Sequence, residues 1–196
     1  MADIVIHHHL GLGDHIDCNG MVRYFAELYE GDTIHSFAKT QYYDMIEWMY
    51  RDDDQIKVHC IEGNEYSGVY QFMTENNLTS EDLYIVGHGN YPTNPSSDKN
   101  CWEYFYEQLD IDLDIKQDLF YVEPDEDEEK RVFDKLNPTG EDYIFVHDDP
   151  SRGFEITMEN DLKIIRNDVS ENIFNFSKII KNAKEIHLME SSFKSM

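Results

Sequence analysis

The sequence predicts an α/β fold in which two small lobes each contain a parallel sheet covered by helices. In the first half, four short apolar segments alternate with three segments whose apolar residues recur at helical spacing. Strands that are separated by helices pair in parallel through right-handed crossovers. A segment rich in Pro, Ser and Asn, 90–98, then interrupts this order and is typical of a boundary or loop. We therefore expect lobes at residues 1–98 and 99–196.

Hydrophobic spacing predicts the elements of the first lobe. Ile16, Met21, Val22 and Phe25 recur as one face of an amphipathic helix would. The predicted strands are 3–9, 33–38, 56–61 and 83–86, and the predicted helices are 16–28, 42–50 and 66–74.

The second lobe is predicted from weaker patterns. Pro124 followed by the acidic residues 125–129 starts a helix that runs to about Leu136, because proline suits a first turn and acids suit the positive end of the helix dipole. The other predicted helices are 102–109 and 172–182, the strands are 143–147 and 185–189, and weaker strand candidates are 119–122, 154–157 and 162–165. The chain stops soon after Ser192, which leaves no room for a further helix, so we expect this lobe to be truncated at its end.

The composition argues against several classes of binding partner and of cellular location. The 196 residues include 16 Lys and Arg against 41 Asp and Glu, which gives a net charge of −25. A chain this anionic is a poor ligand for nucleic acid or for an anionic membrane surface. No apolar run approaches the roughly 18 residues of a membrane span, and residues 1–12 lack the cationic lead of a signal peptide. Three cysteines without C-x-x-C spacing favour reduced thiols and a cytoplasmic protein, in the host cytoplasm if the source is viral.

A glycine-rich turn, Gly11-Leu12-Gly13-Asp14, joins the first predicted strand to the first helix. Glycines allow backbone amides to approach a ligand, and the helix start adds partial positive charge, so Gly11 and Gly13 are candidate phosphate-binding residues. The dinucleotide fingerprint is only partly met, since Ile16 stands at its last glycine. Asp14 follows the carboxyl end of a strand, where its carboxylate could deprotonate a hydroxyl. The alternative is that Asp14 serves as a helix N-cap.

A second candidate segment, 146–154, also follows a predicted strand. It contains Arg152, one of few cations in the chain, and a guanidinium can clamp a phosphate with two hydrogen bonds. The alternative is a surface turn in which Arg152 pairs with Asp148 or Asp149. Adjacent aspartates on a turn are more often solvated than metal-bound, and we expect no metal site there.

The remaining candidates lie at the ends of other strands. Ser191 and Ser192 follow the last predicted strand, where a helix start would bind a diphosphate; a plain serine cap is the alternative. His9, His88 and His147 could line a cleft. Side chains alternate along a strand, so His8 faces away from its two neighbours and the three consecutive histidines cannot form one metal site.

Four stretches, taken in order, carry a family resemblance that spans nearly the whole chain. They are HHHLGLGDHIDCNGMVRYF (7–25), FYEQLDIDLDIKQDLFYVEPDEDEEK (105–130), YIFVHDDPSRGFEI (143–156) and NIFNFSKIIKNAKEIHLMESSF (172–193). Together they resemble the glycosyltransferase-B superfamily, and in particular small heptosyltransferase-like or fucosyltransferase-like proteins of phages, large viruses and bacteria. The resemblance implies two Rossmann-like lobes with a nucleotide-sugar site. It also implies that Asp14 is the catalytic base and that Arg152, Ser191 and Ser192 bind the donor diphosphate.

The expected function is the metal-independent transfer of a sugar from a nucleotide diphosphate sugar to a hydroxyl of a carbohydrate acceptor, with no cofactor. Such a transfer needs a base for the hydroxyl and positive charge for the leaving diphosphate. One alternative is a catalytically inactive binding or scaffold relative, which is favoured by departures from the family in residues 113–120 and at the C-terminal end, where Glu190 stands in place of the usual aspartate. Another is an epimerase, but the chain lacks the G-x-x-G-x-x-G turn and Tyr-x-x-x-Lys pair that we associate with that class.

Overall fold

The computed structural model describes residues 2–88, 98–150, 153–159, 161–189 and 191–195. The chain divides into two compact units, Met1–Glu123 and Pro124–Met196. Residues 99–123 therefore pack with the first unit, whereas their sequence pattern assigned them to the second lobe. Most of the predicted boundary segment 90–98 lies outside the described residues.

The first unit contains a four-stranded parallel sheet in the order β3-β2-β1-β4. Its strands are β1 (Asp3–His7), β2 (Thr33–Lys39), β3 (Ile56–Ile61) and β4 (Leu83–Ile85). In register, Ile4 lies opposite Ile34 on one side of β1, and Ile6 lies opposite Tyr84 on the other. The predicted alternation of parallel strands and helices is confirmed, and it places the carboxyl ends of all four strands at one edge.

Helices cover this sheet, so the central strands are buried on both faces. They are α1 (Leu12–Asp17), α2 (Asn19–Leu28), α3 (Tyr43–Met49), α4 (Glu65–Glu75), α5 (Cys101–Gln108) and α6 (Ile115–Asp118). Val5, Phe37 and Val69 form part of one apolar core between β1, β2 and α4. Strands that are covered on both sides carry near-continuous apolar runs, which accounts for the burial of nearly every residue in β1 and β2.

The predicted helix 16–28 is two helices that meet at Cys18. The hydroxyl of Tyr106, on α5, accepts a hydrogen bond from Met21 N at 3.1 Å and donates one to Asp17 O at 3.0 Å. These bonds satisfy backbone groups at the end of α1 and in the first turn of α2 that a helix terminus leaves free. The break is therefore stabilised by a side chain 85 residues away, which hydrophobic spacing does not reveal.

The prediction of a strand at 119–122 is wrong, because the backbone of this segment forms hydrogen bonds with side chains and not with another strand. Tyr121 N donates to Asn19 Oδ1 at 2.9 Å, and Tyr121 O accepts from Arg23 Nε at 3.0 Å. Nearby, a Cβ at Gly20 would lie 2.5 Å from Ile115 O, so only glycine allows α2 to approach α6 this closely. The segment that joins the two units is thus held against α2.

The second unit has a smaller parallel sheet in the order β6-β5-β7. The strands are β5 (Tyr143–His147), β6 (Lys163–Arg166) and β7 (Glu185–Leu188), and the helices are α7 (Glu126–Leu136), α8 (Ser177–Asn182) and α9 (Ser192–Ser195), with a 3-10 turn (Ile173–Phe176) before α8. The predicted start of α7 is confirmed: Asp125 caps it by accepting a hydrogen bond from Glu128 N at 3.0 Å. Among the described residues, no helix has the length and apolar character that crossing a membrane requires.

Two expectations for the second unit are corrected. Phe154–Thr157 forms no strand and makes only a single antiparallel bridge, between Asp149 and Phe154. The residues after Ser191 do form a short helix, α9, although we expected no room for one. Phe193 explains that helix, since its ring is buried against Phe145 and Phe176.

Candidate functional site

Asp14 lies in the first turn of α1, at the edge of the first sheet where the strands end. The N-cap of α1 is Gly11, with extended backbone, so Asp14 is not the N-cap residue that we considered as the alternative. A Cβ at Gly11 would lie 2.6 Å from Asp14 Oδ2, so the carboxylate folds back over the glycine. Gly13 also lies within this first turn. Gly11, Gly13 and Asp14 thus lie together at the start of α1, and their expected roles stay predictions.

The environment of Asp14 makes its carboxylate more basic. Burial, the largest cause, raises the pKa of Asp14 above its ordinary value, and the nearby Asp17 carboxylate adds to this. His9 and hydrogen bonds with the backbone of Gly11 and Asp14 oppose the shift without reversing it. A half-buried carboxylate with a raised pKa is suited to accept a proton.

His9 and His88 are brought together at the same edge of the sheet. His88 N donates to His9 Nε2 at 2.9 Å, and the two ring centroids are 4.3 Å apart. The turn that allows this contact contains Gly87, whose φ of 74° favours glycine, and a Cβ there would lie 2.6 Å from the His9 ring. The third candidate, His147, belongs to the second unit, where its ring contacts Phe193 at 4.4 Å.

A second polar group at this edge includes residues that sequence reasoning missed. His7, at the end of β1, is fully buried, and its ring lies 4.3 Å from that of His88. Glu65 Oε1, from the first turn of α4, lies 3.6 Å from His88 Nδ1. Glu65 could have been selected from the sequence as a candidate, because it follows the end of β3 as Asp14 follows the end of β1.

Burial favours the neutral form of the histidines in this group. Burial, followed by the neighbouring His88, His8 and His9, lowers the pKa of His7 to about 3. Burial and His9 also lower the pKa of His88, although Glu65 opposes that shift. The predicted alternation is confirmed: His8 points away, with its ring 4.7 Å from that of His15.

In the second unit, Asp148 has a structural partner. Its side chain is 2% exposed and lies 3.3 Å from Arg166 Nε, and it accepts a hydrogen bond from Ile156 N at 2.9 Å. Burial alone would raise the pKa of Asp148, but these bonds lower it. The Asp148 carboxylate is thus paired with Arg166. Arg152, which we considered as a partner of Asp148 or Asp149, lies outside the described residues.

Ser191 and Ser192 lie at the start of α9, after β7, as the sequence predicted. Ser191 Oγ is buried and has no hydrogen-bond partner among the described residues. Ser191 O accepts a hydrogen bond from Lys194 N at 2.9 Å, which closes the single turn of α9. Their expected role in binding a diphosphate stays a prediction.

A cavity of about 570 Å³ in the first unit lies at the opposite edge of the sheet, where strands begin. Its lining includes the carboxylates of Glu27, Glu30, Asp53 and Asp118. Arg23, the cation there, forms an ion pair with Asp52 at 2.8 Å. A diphosphate would be repelled by these carboxylates, so this cavity is a poor donor site.

The comparison with solved structures bears on the fold. The chain is similar to the solved structure of the E. coli ADP-heptose lps heptosyltransferase II, with a TM-score of 0.55 and 10% sequence identity over 98% of this chain and 80% of that chain. No family model matches the sequence, and no curated protein matches it. The phage or viral type expected from the resemblance stays a prediction. The likeness to the heptosyltransferase structure shows that the chain has a glycosyltransferase-like α/β fold, with parallel sheets covered by helices.

Proposed function

We propose that the protein is a glycosyltransferase that moves a sugar from a nucleotide diphosphate sugar to a hydroxyl of a carbohydrate acceptor. The observation that carries this proposal is the position of Asp14, a half-buried carboxylate at the carboxyl edge of a parallel sheet in a heptosyltransferase-like fold. Ligands of open α/β sheets bind at this edge.

Asp14 is the proposed general base. The acceptor oxygen forms a bond to the anomeric carbon while the bond from that carbon to the diphosphate breaks. The hydroxyl proton passes to the Asp14 carboxylate, and the electron pair of the broken bond remains on the diphosphate. The raised pKa of Asp14 supports this assignment, because a base is most effective when its pKa approaches the working pH.

The proposed contacts to the leaving diphosphate come from backbone amides and Arg152. Amides near Gly11 and Gly13 belong to a helix start, where phosphate binds well. The guanidinium of Arg152 would stabilise the negative charge that develops on the leaving group. Ser191, whose hydroxyl is buried without a partner among the residues described, and Ser192 are proposed as further donors to the phosphates.

Binding and turnover measured on the same protein test this proposal. A panel of nucleoside diphosphates would be screened by thermal shift and saturation-transfer NMR, and labelled nucleotide sugars would then be assayed for hydrolysis and transfer. We expect one nucleoside diphosphate to bind and its sugar conjugate to be consumed. Asp14→Asn should keep donor binding and lose transfer.

Two results would contradict the proposal in different ways. Binding of a nucleotide without any turnover would identify the protein as an inactive relative that retains the site. Absence of binding to every nucleotide in the panel would favour a scaffold role and overturn the proposed activity.

A further inference from the structure

We propose that His7, Glu65 and His88 form a binding site for one divalent transition-metal ion, with Zn²⁺ as the ion that fits best. Each residue offers one donor atom, and these atoms lie within 4.8 Å of one another. They come from three segments that converge at the carboxyl edge of the first sheet: the end of β1, the start of α4 and the turn after β4.

Three of the four imidazole nitrogens of His7 and His88 have no hydrogen-bond partner among the described residues, and the fourth, His88 Nδ1, faces Glu65. His7 is fully buried, and both its ring nitrogens are without a hydrogen bond within the described part of the chain. The His88 side chain is 3% exposed, and its Nε2 is likewise unpartnered there. Buried polar atoms in folded proteins are almost always satisfied, so these nitrogens indicate a ligand that completes the site.

The spacing of the three donors suits a tetrahedral ion after small side-chain rotations. Zinc bonds to nitrogen and oxygen of about 2.0–2.2 Å place tetrahedral ligands roughly 3.3–3.6 Å apart. Glu65 Oε1 and His88 Nδ1 are already 3.6 Å apart. The centroid of the Tyr66 ring lies 5.2 Å from that of His7 and 4.7 Å from that of His88. This ring therefore limits how far either imidazole can turn away.

The Glu65 carboxylate has one oxygen left for a cation. Lys39 Nζ lies 3.2 Å from Glu65 Oε2, so that oxygen is neutralised by an ion pair and Oε1 remains for the metal. Two imidazoles and one carboxylate match the ligand set of zinc sites that keep a fourth position open for water or substrate. Magnesium and calcium prefer oxygen ligands, which makes them poor occupants here.

Metal binding is best measured on the full chain with its exposed thiols removed. Cys60 and Cys101 are exposed and would bind zinc on their own, so the parent for this experiment carries Cys60→Ser and Cys101→Ser. Titration calorimetry with ZnCl₂ should give one ion per chain, and CoCl₂ should give the visible absorption of a four-coordinate cobalt ion. The matched control is His187→Ala, which removes a partly exposed histidine of the second unit and should leave both signals unchanged.

Loss of a ligand separates this site from adventitious binding. Glu65→Gln keeps the size of a partly exposed side chain and should weaken Zn²⁺ binding by more than the roughly 10–100-fold that is typical of outer-shell partners. His88→Ala should do the same, and a circular dichroism spectrum like that of the parent would show that either variant is folded. The proposal is overturned if the parent binds no zinc, if both variants bind as tightly as the parent, or if the His187→Ala control loses the ion. None of these outcomes bears on nucleotide binding, so the proposed glycosyl transfer would stand or fall separately.

Discussion

The carboxylate of Asp14 lies over the α-carbon of Gly11, so closely that a Cβ at position 11 would come within 2.6 Å of Asp14 Oδ2. The glycine backbone has φ −79°, which any residue can adopt, so a substitution there would act by displacing the carboxylate. We expect Gly11→Ala to fold normally and to lower the transfer rate toward that of Asp14→Asn, a loss of roughly 10²–10⁴-fold for a general base. The variant that carries both Gly11→Ala and Asp14→Asn should have a transfer rate little lower than Asp14→Asn alone, because the two changes remove the same interaction. Additive losses in single-turnover rates would show that Gly11 acts separately.

The raised pKa of Asp14 predicts how stability depends on pH. Burial disfavours the ionised carboxylate in the folded chain, so the folded chain holds this proton more tightly than the unfolded chain does. The stability contributed by this position therefore falls as the pH rises from the ordinary carboxyl pKa through the raised value. In urea unfolding, Asp14→Asn should gain stability relative to the parent as the pH rises above the ordinary carboxyl pKa of 3.8. Parallel pH profiles for the two proteins would contradict this.

The lowered pKa of His59 predicts the opposite dependence of stability on pH. Burial, and secondarily His35, lowers the pKa of His59 to about 4 from the ordinary 6.5, so the unfolded chain takes up this proton first. Stability from this position is present above pH 6.5 and is lost as the pH falls toward about 4. His59→Asn should flatten part of the pH dependence over this window, measured as urea midpoints. An unchanged slope would show that His59 titrates normally.

Arg152 predicts a loss of donor affinity. If its guanidinium binds the diphosphate, Arg152→Ala should weaken nucleoside diphosphate binding by about 1.5–3 kcal/mol, the range for a hydrogen bond to a charged group. The control is Arg131→Ala, which removes an exposed arginine of the same unit that pairs with Glu128 and Glu171. Equal affinities of the two variants in calorimetry would remove Arg152 from the donor site.

Tyr106 predicts a loss of stability. Its hydroxyl makes a buried hydrogen bond with Met21 N and a partly buried one with Asp17 O, so Tyr106→Phe removes the partners of two backbone groups. We expect a decrease of roughly 1–3 kcal/mol in the free energy of unfolding. Tyr70→Phe, at a side chain that is 50% exposed, should change it by less than about 0.5 kcal/mol. The measurement is urea denaturation of the three proteins, and similar midpoints for all three would contradict the role of the hydroxyl.

The sequence predicted elements whose signal is local. The strands at Ile56–Ile61 and Tyr143–His147 have the predicted bounds, because their apolar runs end at clear turns. The break at Cys18 and the absence of a strand at 119–122 depend on distant partners, Tyr106 in one case and Asn19 and Arg23 in the other. Tertiary contacts of this kind override local propensity.

The candidate site divides in the same way. Asp14 could be found because a glycine turn after a strand is visible in the sequence. The approach of His7, Glu65 and His88 could not, since it depends on the strand order β3-β2-β1-β4. Alternation along β1 correctly showed that consecutive histidines face opposite sides, but it says nothing about residues from other strands.

The packing of 99–123 against α2 determines where the gene can be divided for separate expression. A fragment that stops at residue 98 would lack the hydroxyl that holds the junction of α1 and α2, and would leave the surface around Gly20 uncovered. Proteolytic trimming should therefore yield an N-terminal piece ending near Glu123, because the shorter product would expose apolar surface and aggregate.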